Sequence, residues 1–306
     1  MTQRNAVRFT QLTFLISWLL FGSFTLLGGK RSSVSGTIVL VIYMWIPAVV
    51  AIFMQRVVNR EPLKLLGLKF RFNRWLVLAW LFPILAIPMI IGISAMFPGV
   101  GFDPMMTEFL AKLSTKSTEG AAAIQSQLAD LPVHVIWVAI AGGLVAGPTI
   151  NSIASFGEEL GWRGYLQREF AYLGFWRSSF VIGAIWGLWH APVILSGHNY
   201  PDHPVAGVFL MVIFNMVFSP VISYCRIRSG TIWSAVFLHG VLNAVGAVPL
   251  MVISGSSDLT SGFTGLAGIL TMTVVIALVY LHDRYVAHTR IDDMLAGTIA
   301  RSDGTG

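Results

Sequence analysis

Eight apolar stretches, each close to the length of a membrane span, dominate this 306-residue sequence. They run at about 9–28, 34–54, 75–97, 132–156, 178–196, 205–224, 231–254 and 263–281. A helix needs roughly 20 apolar residues to cross the hydrocarbon core of a bilayer. The composition agrees with this reading, because 55% hydrophobic residues, 11% charged residues and a mean hydropathy of +0.74 are unlike those of a soluble domain. We therefore predict an all-α, polytopic integral membrane protein with eight transmembrane helices around an intramembrane polar cavity.

The distribution of basic residues predicts the orientation of these helices. Lys and Arg accumulate on the cytoplasmic side of a membrane. With the N-terminus inside, the external loops keep only Lys30, Arg31, Lys112 and Lys116 of the 20 basic residues. Both termini are then cytoplasmic, and we expect a multi-pass protein of a bacterial inner (plasma) membrane. The net charge of +6 follows from this topology, so no nucleic-acid partner is needed to explain it.

Ionisable side chains interrupt or adjoin three of the apolar stretches. An ionisable group inside a membrane needs a partner, a hydrated cavity or a function. Glu158, Glu159 and Arg163 form the first such group. On a helix, Arg163 lies one turn beyond Glu159 and can neutralise it, whereas Glu158 points about 100° away. One carboxylate can therefore be held by the arginine while the other faces a cavity as a proton acceptor.

The other two groups repeat a four-residue spacing. Trp186 and His190 share one helix face in the fifth stretch, and His239 and Asn243 share one in the seventh. At ~1.5 Å per residue, His190, His239 and Asn243 lie on the order of 12–18 Å below the cytoplasmic surface. A straight fourth helix would place Glu158 nearer that surface, so we expect a water-filled funnel that opens to the cytosol. Two carboxylates and two imidazoles suit the activation of water, which makes an intramembrane hydrolase the first hypothesis.

Together the three groups resemble motifs of the type II CAAX prenyl proteases, the Ras-converting-enzyme group, and of their bacterial relatives called CPBP or Abi proteins. The resemblance covers the helices from about Ile136 to Ser254. The first element is two glutamates followed after three residues by an arginine, at Glu158, Glu159 and Arg163. The second is an aromatic-x-x-x-His pair, with Trp186 where Phe is often found, and the third is the His-x-x-x-Asn pair of His239 and Asn243.

The resemblance implies an eight-helix intramembrane endopeptidase whose catalytic groups lie in a cytosol-facing cavity. It implies that Glu158 and His190 activate water and that His239 and Asn243 donate hydrogen bonds to the oxyanion. Glu159 and Arg163 would support them. Membrane lipids and a peptide or lipidated protein substrate are the partners expected from it; the sequence leaves the oligomeric state open. No cofactor is certain, although a Glu/His/His set could hold a divalent metal such as zinc.

The resemblance also divides the chain. We expect transmembrane helices 1–3, a basic cytoplasmic loop and an external loop in residues 1–131, a CAAX-protease-like catalytic core of helices 4–7 in 132–262, and the last helix with a cytoplasmic tail in 263–306. The basic loop suits either a segment lying on anionic headgroups or a solvated linker. The external loop predicts one or two short surface helices, and the tail from residue 282 onwards looks largely mobile.

Less specific interpretations stay open for each group. Glu159 and Arg163 could form only a structural ion pair, His190 and His239 could be ordinary interior histidines, and Asn243 could merely bridge helices. The single cysteine, Cys225, excludes disulfides within the chain and a cysteine cluster for metal. His198, His203 and Asp202 lie in a Pro-flanked external loop, which argues against a metal site there.

Two other functions fit the same composition. A secondary transporter also carries polar groups in mid-membrane, but paired hydrophobic halves with matching interruptions are not evident here. A noncatalytic membrane protein of the bacteriocin-immunity type would keep the fold without turnover.

Overall fold

Helices make up most of the computed structural model, which describes residues 3–114, 126, 128 and 131–300. They are α1 Gln3–Leu26, α2 Val34–Phe53, α3 Arg74–Ser94, α4 Thr107–Ser114, α5 Val135–Ala146, α6 Ser152–Glu159, α7 Gln167–Glu169, α8 Gly174–Trp189, α9 Ala191–Leu195, α10 Pro204–Ser229, α11 Ile232–Val245, α12 Val248–Met251, α13 Leu266–Leu281 and α14 Ile291–Ala300. Turns of 3-10 helix lie at Leu63–Leu66 and Ala171–Leu173, and π-helical turns at Met54–Val58, Gly147–Asn151, Leu160–Leu166 and His282–Val286. The strands β1 (Gly101–Phe102) and β2 (Ile253–Ser254) pair antiparallel. The predicted all-α fold is confirmed.

Seven helical stretches in the described part of the chain are long and apolar enough to span a membrane. They are Arg4–Leu26, Val34–Val58, Arg74–Ser94, Val135–Glu169, Pro204–Ser229, Ile232–Met251 and Leu266–Val286. The predicted fifth stretch, 178–196, differs because it forms the 16-residue α8 and the 5-residue α9, with a break at His190. Pro192 accounts for the break, since a proline lacks the N–H of the helical ladder and clashes with the preceding turn. The eight predicted spans thus become seven helices and one broken segment.

The bundle has two chemically different ends. The basic end holds the helix termini near Arg4, Arg56, Arg74, Arg168 and Arg228. Side chains join these termini: Asn5 Nδ2 donates to Asn59 Oδ1 at 3.0 Å, and Asn59 Nδ2 donates to Glu169 Oε1 at 3.1 Å. The distal end is formed by the described parts of the loops 27–33, 95–134, 196–203 and 252–265. There, Tyr200 donates its hydroxyl hydrogen to the Thr264 carbonyl at 2.6 Å.

Glycines allow the elements that carry the polar motifs to pack closely. A Cβ at Gly157 in α6 would lie 2.5 Å from the Met44 carbonyl oxygen of α2. A Cβ at Gly187 in α8 would lie 2.5 Å from Val212 Cα in α10. Neither contact leaves room for a side chain, so any larger residue would push these helices apart. The backbone near Glu158 is thereby held against α2, and the backbone near His190 against α10.

The basic loop is a folded cap over the basic end. Leu66 is fully buried, and the Gly67 carbonyl accepts a hydrogen bond from the Ile232 amide at 2.9 Å. Trp233 Nε1 donates to the Leu68 carbonyl at 3.0 Å, and Asn73 Nδ2 donates to the Ser229 carbonyl at 3.0 Å. The loop is therefore packed on the bundle and is not a solvated linker, because its carbonyls accept from the start of α11 and Asn73 donates to the end of α10.

The C-terminal segment corrects a second expectation. Residues 282–300 are ordered by α14, whose Ile291 and Leu295 are buried against Phe175 and Tyr224. The expectation of a largely mobile tail overlooked this i, i+4 apolar pair, which forms a short amphipathic face. Residues 301–306 lie outside the described residues. In the external loop α4 is one short helix, and much of the segment that follows it is also outside the described residues.

Candidate active site

Two adjacent carboxylates end helix α6 inside the bundle. Glu158 is 1% exposed and Glu159 is fully buried. Arg163, in the π-helical turn that follows, places Nη1 3.1 Å from Glu159 Oε1, and both side chains are 0% exposed. This is the pairing that the four-residue spacing predicts. A buried ion pair needs further hydrogen bonds to offset its desolvation, so the neighbours of Glu159 matter.

His239 is the second partner of Glu159. Its Nδ1 lies 2.9 Å from Glu159 Oε1, the oxygen that also binds Arg163. A carboxylate oxygen can only accept, so Nδ1 carries the hydrogen of this bond. The Nε2 atom of the same ring is then left for other partners. Asn243 follows one turn later on α11 and is exposed to the cavity described below.

Trp186 on α8 connects the groups of all three motifs. Its indole Nε1 donates to Glu158 Oε2 at 2.6 Å, and its carbonyl accepts from His190 Nδ1 at 2.8 Å. The Arg163 guanidinium lies 4.2 Å from the centre of the Trp186 ring, and the His239 ring centroid lies 5.3 Å from it. The sequence predicted only an aromatic wall at this position. The indole N–H was the missed signal, because phenylalanine at this position would offer no donor for a buried carboxylate.

A cavity of about 470 Å³ lies beside these groups. Glu158, His190, His239 and Asn243 all line it, although they come from three separate helical segments. Glu159 and Arg163 do not line the cavity, but Glu159 bonds His239 and Arg163 lies over Trp186, and both of these partners line it. The structure thus brings the six candidate residues into one cluster.

The cavity extends from this cluster towards the distal end. Its outer wall includes Asn199, Asp258 and Thr264, which belong to distal loops. At the basic end, where the funnel was expected to open, lie the basic loop and the buried turn Leu160–Leu166. The long helical stretch Val135–Glu169 continues well beyond Glu158 before it reaches the basic end.

Several cavity residues were not singled out as candidates. Tyr43 is 2% exposed and donates its hydroxyl hydrogen to the Trp189 carbonyl at 2.6 Å, which holds α2 to the end of α8. Asn215 is buried on α10 and donates to the Met211 carbonyl at 2.9 Å. Near the distal loops, removal from water and, to a smaller extent, the charge of Arg31 together lower the pKa of the half-buried His198 to about 4. This imidazole is therefore neutral at physiological pH.

The described side chains around Glu158 do not assemble a zinc site. Among the described residues, no group of three or more His, Cys, Asp or Glu side chains lies close enough together to hold a metal ion. Around the candidate site, Glu158 Oε2 is bonded to Trp186, and the Nδ1 atoms of His190 and His239 have protein partners. In the distal loops, His203 Nδ1 pairs with Asp258 Oδ1 at 2.6 Å.

One family model matches the part of the chain that holds the cluster. Residues 130–245 match the model described as type II CAAX prenyl endopeptidase Rce1-like. All three motifs lie within this range, and the resemblance drawn from them is confirmed. A search of the curated proteins gives no match.

Proposed function

From the Rce1-like domain at residues 130–245, we propose that this membrane protein is an intramembrane endopeptidase, which hydrolyses a peptide bond of a membrane-associated or lipidated substrate. The observation that carries this proposal is the cavity wall itself. Glu158, His190, His239 and Asn243 reach one cavity from three separate helical segments, although an uncompensated polar group inside a bilayer is costly. A carboxylate and imidazoles can act as general bases that activate water, and an amide or an imidazolium can donate hydrogen bonds that stabilise an oxyanion.

Glu158 and His190 are the proposed water-activating pair. The Trp186 N–H fixes the orientation of the Glu158 carboxylate, and the Trp186 carbonyl fixes the ring of His190. Because His190 Nδ1 donates to a carbonyl, the Nε2 of the neutral ring is an acceptor for a water hydrogen. Glu158 takes the other proton as the water oxygen attacks the scissile carbonyl. The same proton then passes to the departing amine nitrogen, which completes hydrolysis.

His239 and Asn243 are the proposed oxyanion donors. A neutral His239 that donates Nδ1–H to Glu159 has only an acceptor at Nε2, so it can bind an oxyanion only as the imidazolium. The charge of the cluster supports this form. Glu158 and Glu159 against Arg163 leave one negative charge, and a protonated His239 balances it in a poorly hydrated site. Glu159 is then the positioning residue that orients and stabilises the imidazolium.

The test compares wild type with Glu158→Gln in detergent micelles. Both are given a proteome-derived peptide mixture and a farnesylated peptide that ends in a CAAX sequence, and new termini are identified by mass spectrometry. We expect cleavage by wild type and its loss in Glu158→Gln. The matched control is Asp293→Asn, which makes the same carboxylate-to-amide change at an exposed position of α14 and should cleave normally.

A parallel flux measurement in proteoliposomes separates the proposal from its rivals. Proton-coupled flux without cleavage by wild type would favour a transporter. Absence of both activities from a folded wild-type protein would favour a noncatalytic role.

A further inference from the structure

Arg226 is a buried arginine that has no carboxylate partner among the described residues. It lies in the last turn of α10 and is 5% exposed. Its Nη2 donates to the Leu66 carbonyl oxygen at 3.5 Å, longer than a usual N–H···O bond, and its Nε has no hydrogen-bond partner. None of the salt bridges within the described part of the chain includes Arg226. Because a guanidinium has five N–H donors, this side chain can still bind an acceptor that the protein does not supply.

The charged surroundings of Arg226 are positive. The charges that act on it are those of Arg168 and Arg71. Arg168 already has an acid, because its Nη2 donates to Glu61 Oε2 at 3.1 Å. Glu61 is the only acidic residue between positions 59 and 73 of the sequence, so the cap offers no second carboxylate. An uncompensated charge that is removed from water is costly, and a site of this composition therefore favours an anion from outside the chain.

Two glycines bring guanidinium groups together at this end of α10. Gly67, at φ +83°, lies so close to Arg226 that a Cβ there would overlap Nη2. Gly230 ends α10 at φ +69°, and a Cβ there would lie 3.7 Å from Arg71 Nη1. Arg226 and Arg71 thus both lie beside the last turn of α10. The carbonyl groups of a helix C-terminus carry about half a negative charge, which is less than the positive charge that these two arginines bring.

Exposed aromatic rings adjoin this positive site. In the sequence, Phe70 and Phe72 alternate with Lys69 and Arg71. Phe70 and Phe72 are 53% and 74% exposed, and the Phe70 ring centroid lies 6.4 Å from that of Phe237 on α11. Apolar rings and cations side by side at the end of spanning helices are typical of a membrane interface. A phospholipid satisfies both, because its phosphate binds the cations and its acyl chains cover the rings, whereas a soluble anion would leave the rings in water.

We propose that this end of the bundle binds the phosphate group of an anionic phospholipid between Arg226 and Arg71, with the acyl chains against Phe70 and Phe72. Guanidinium groups bind phosphate oxygens through paired N–H donors. A zwitterionic phospholipid is a weaker ligand, because its own ammonium group cancels the phosphate charge at a site that is already positive. None of these four residues lines the cavity beside Glu158, so the lipid site is independent of the proposed function.

The first experiment measures lipid binding by the delipidated full-length protein in a neutral maltoside detergent. Phosphatidylglycerol, phosphatidylcholine or inorganic phosphate is added, bound lipid is counted by native mass spectrometry, and the thermal unfolding midpoint is recorded. We expect phosphatidylglycerol to remain bound to wild type and to raise its midpoint, since a ligand that binds only the folded state stabilises it. Phosphatidylcholine and inorganic phosphate should have much smaller effects.

Two variants assign the binding to the proposed donors. Arg226→Gln and Arg71→Gln should each weaken phosphatidylglycerol binding by roughly tenfold or more, because each removes charge-assisted hydrogen bonds. Arg71 is exposed, so its replacement does not put folding at risk. The matched control is Arg284→Gln, which removes the same charge at an exposed position directly after α13 and should bind the lipid as wild type does.

The stability of Arg226→Gln separates a lipid site from a purely structural arginine. Without added lipid, this variant should unfold at the same temperature as wild type or higher, because a buried charge without a counterion has been removed. With phosphatidylglycerol, wild type should become the more stable of the two. A variant that unfolds below wild type by the same margin with and without lipid would overturn the proposal, since Arg226 would then act only within the fold.

Three other results would also overturn the lipid site. An equal response of wild type, Arg226→Gln and Arg71→Gln to phosphatidylglycerol would show attraction to the basic end as a whole. A rise of the midpoint with inorganic phosphate as large as that with phosphatidylglycerol would indicate a site for a soluble anion. No response of wild type to phosphatidylglycerol would show that these arginines hold no lipid.

Discussion

Two buried ion pairs of this protein each join an arginine to a carboxylate, but the charges around them differ. Arg163 and Glu159 lie 3.1 Å apart behind the cavity, and Arg228 and Asp283 lie 2.5 Å apart at the basic end. Asp283 also accepts from the Ile291 amide at 2.9 Å and lies 3.7 Å from Arg290, so donors outnumber acceptors around it. These donors attach the start of α14 to the bundle through Asp283, so the role of this ion pair is structural.

Around Glu159, negative charge exceeds the positive charge of Arg163. A second carboxylate, Glu158, is the preceding residue, and the additional donor is His239, whose Nε2 remains available. An ion pair that is saturated with donors stabilises the fold, whereas one that leaves negative charge beside a cavity can hold a proton and stabilise a reacting group. The following predictions test this difference, beginning with the largest expected effect.

Replacing Glu158 by glutamine should abolish catalysis at the site. The amide cannot accept a proton from water, and general-base catalysis contributes roughly 10²- to 10⁴-fold, so kcat should fall by about that factor. The measurement is kcat for whichever peptide wild type cleaves, together with the thermal unfolding midpoint. A variant that folds normally and keeps more than a tenth of wild-type kcat would remove Glu158 from the mechanism.

Glu159→Gln should lower kcat by roughly 10- to 100-fold without a matching rise in KM. The glutamine carbonyl can still accept from His239 Nδ1, so the ring keeps its orientation, but the charge that stabilises the imidazolium is lost. Parallel kcat and KM measurements decide between the roles. A purely structural ion pair would instead show a lower unfolding midpoint with an unchanged kcat per folded molecule.

Trp186→Phe should have a smaller effect, of roughly tenfold on kcat. Phenylalanine keeps an aromatic ring near Arg163 and His239 but lacks the N–H that binds Glu158, and a hydrogen bond to a charged group is worth about 1.5–3 kcal/mol. The two single variants, Trp186→Phe and Glu158→Gln, are compared with the double variant to test whether the indole acts through Glu158. If the loss of kcat in the double variant equals the product of the two single losses, the indole does not act through Glu158.

Asp283→Asn should leave kcat unchanged and lower stability. The substitution removes the charge that balances Arg228 and loosens the attachment of α14, so the thermal midpoint should fall by a few degrees. Differential scanning fluorimetry in detergent and the peptide assay measure the two effects. A large loss of kcat with normal stability would contradict the contrast between the two ion pairs.

Much of the candidate site could be read from the sequence because its pairings are local. Glu159 with Arg163, Trp186 with His190 and His239 with Asn243 are each four residues apart, and helical periodicity alone aligns them. The apolar stretches likewise predict an all-α membrane protein, since lipid forces backbone groups to bond within each segment.

The tertiary structure alone decided what these local pairs do together. The hydrogen bonds of Glu159 to His239 and of Trp186 to Glu158 join residues 80 and 28 positions apart, and they depend on how glycine contacts set the helices against one another. The break of the fifth stretch at His190, the cap of residues 59–73 and the docking of α14 also depend on surfaces that only packing creates. The direction in which the cavity extends belongs with them, because it is set by which end of the bundle is filled with side chains, and no periodicity in the chain encodes that.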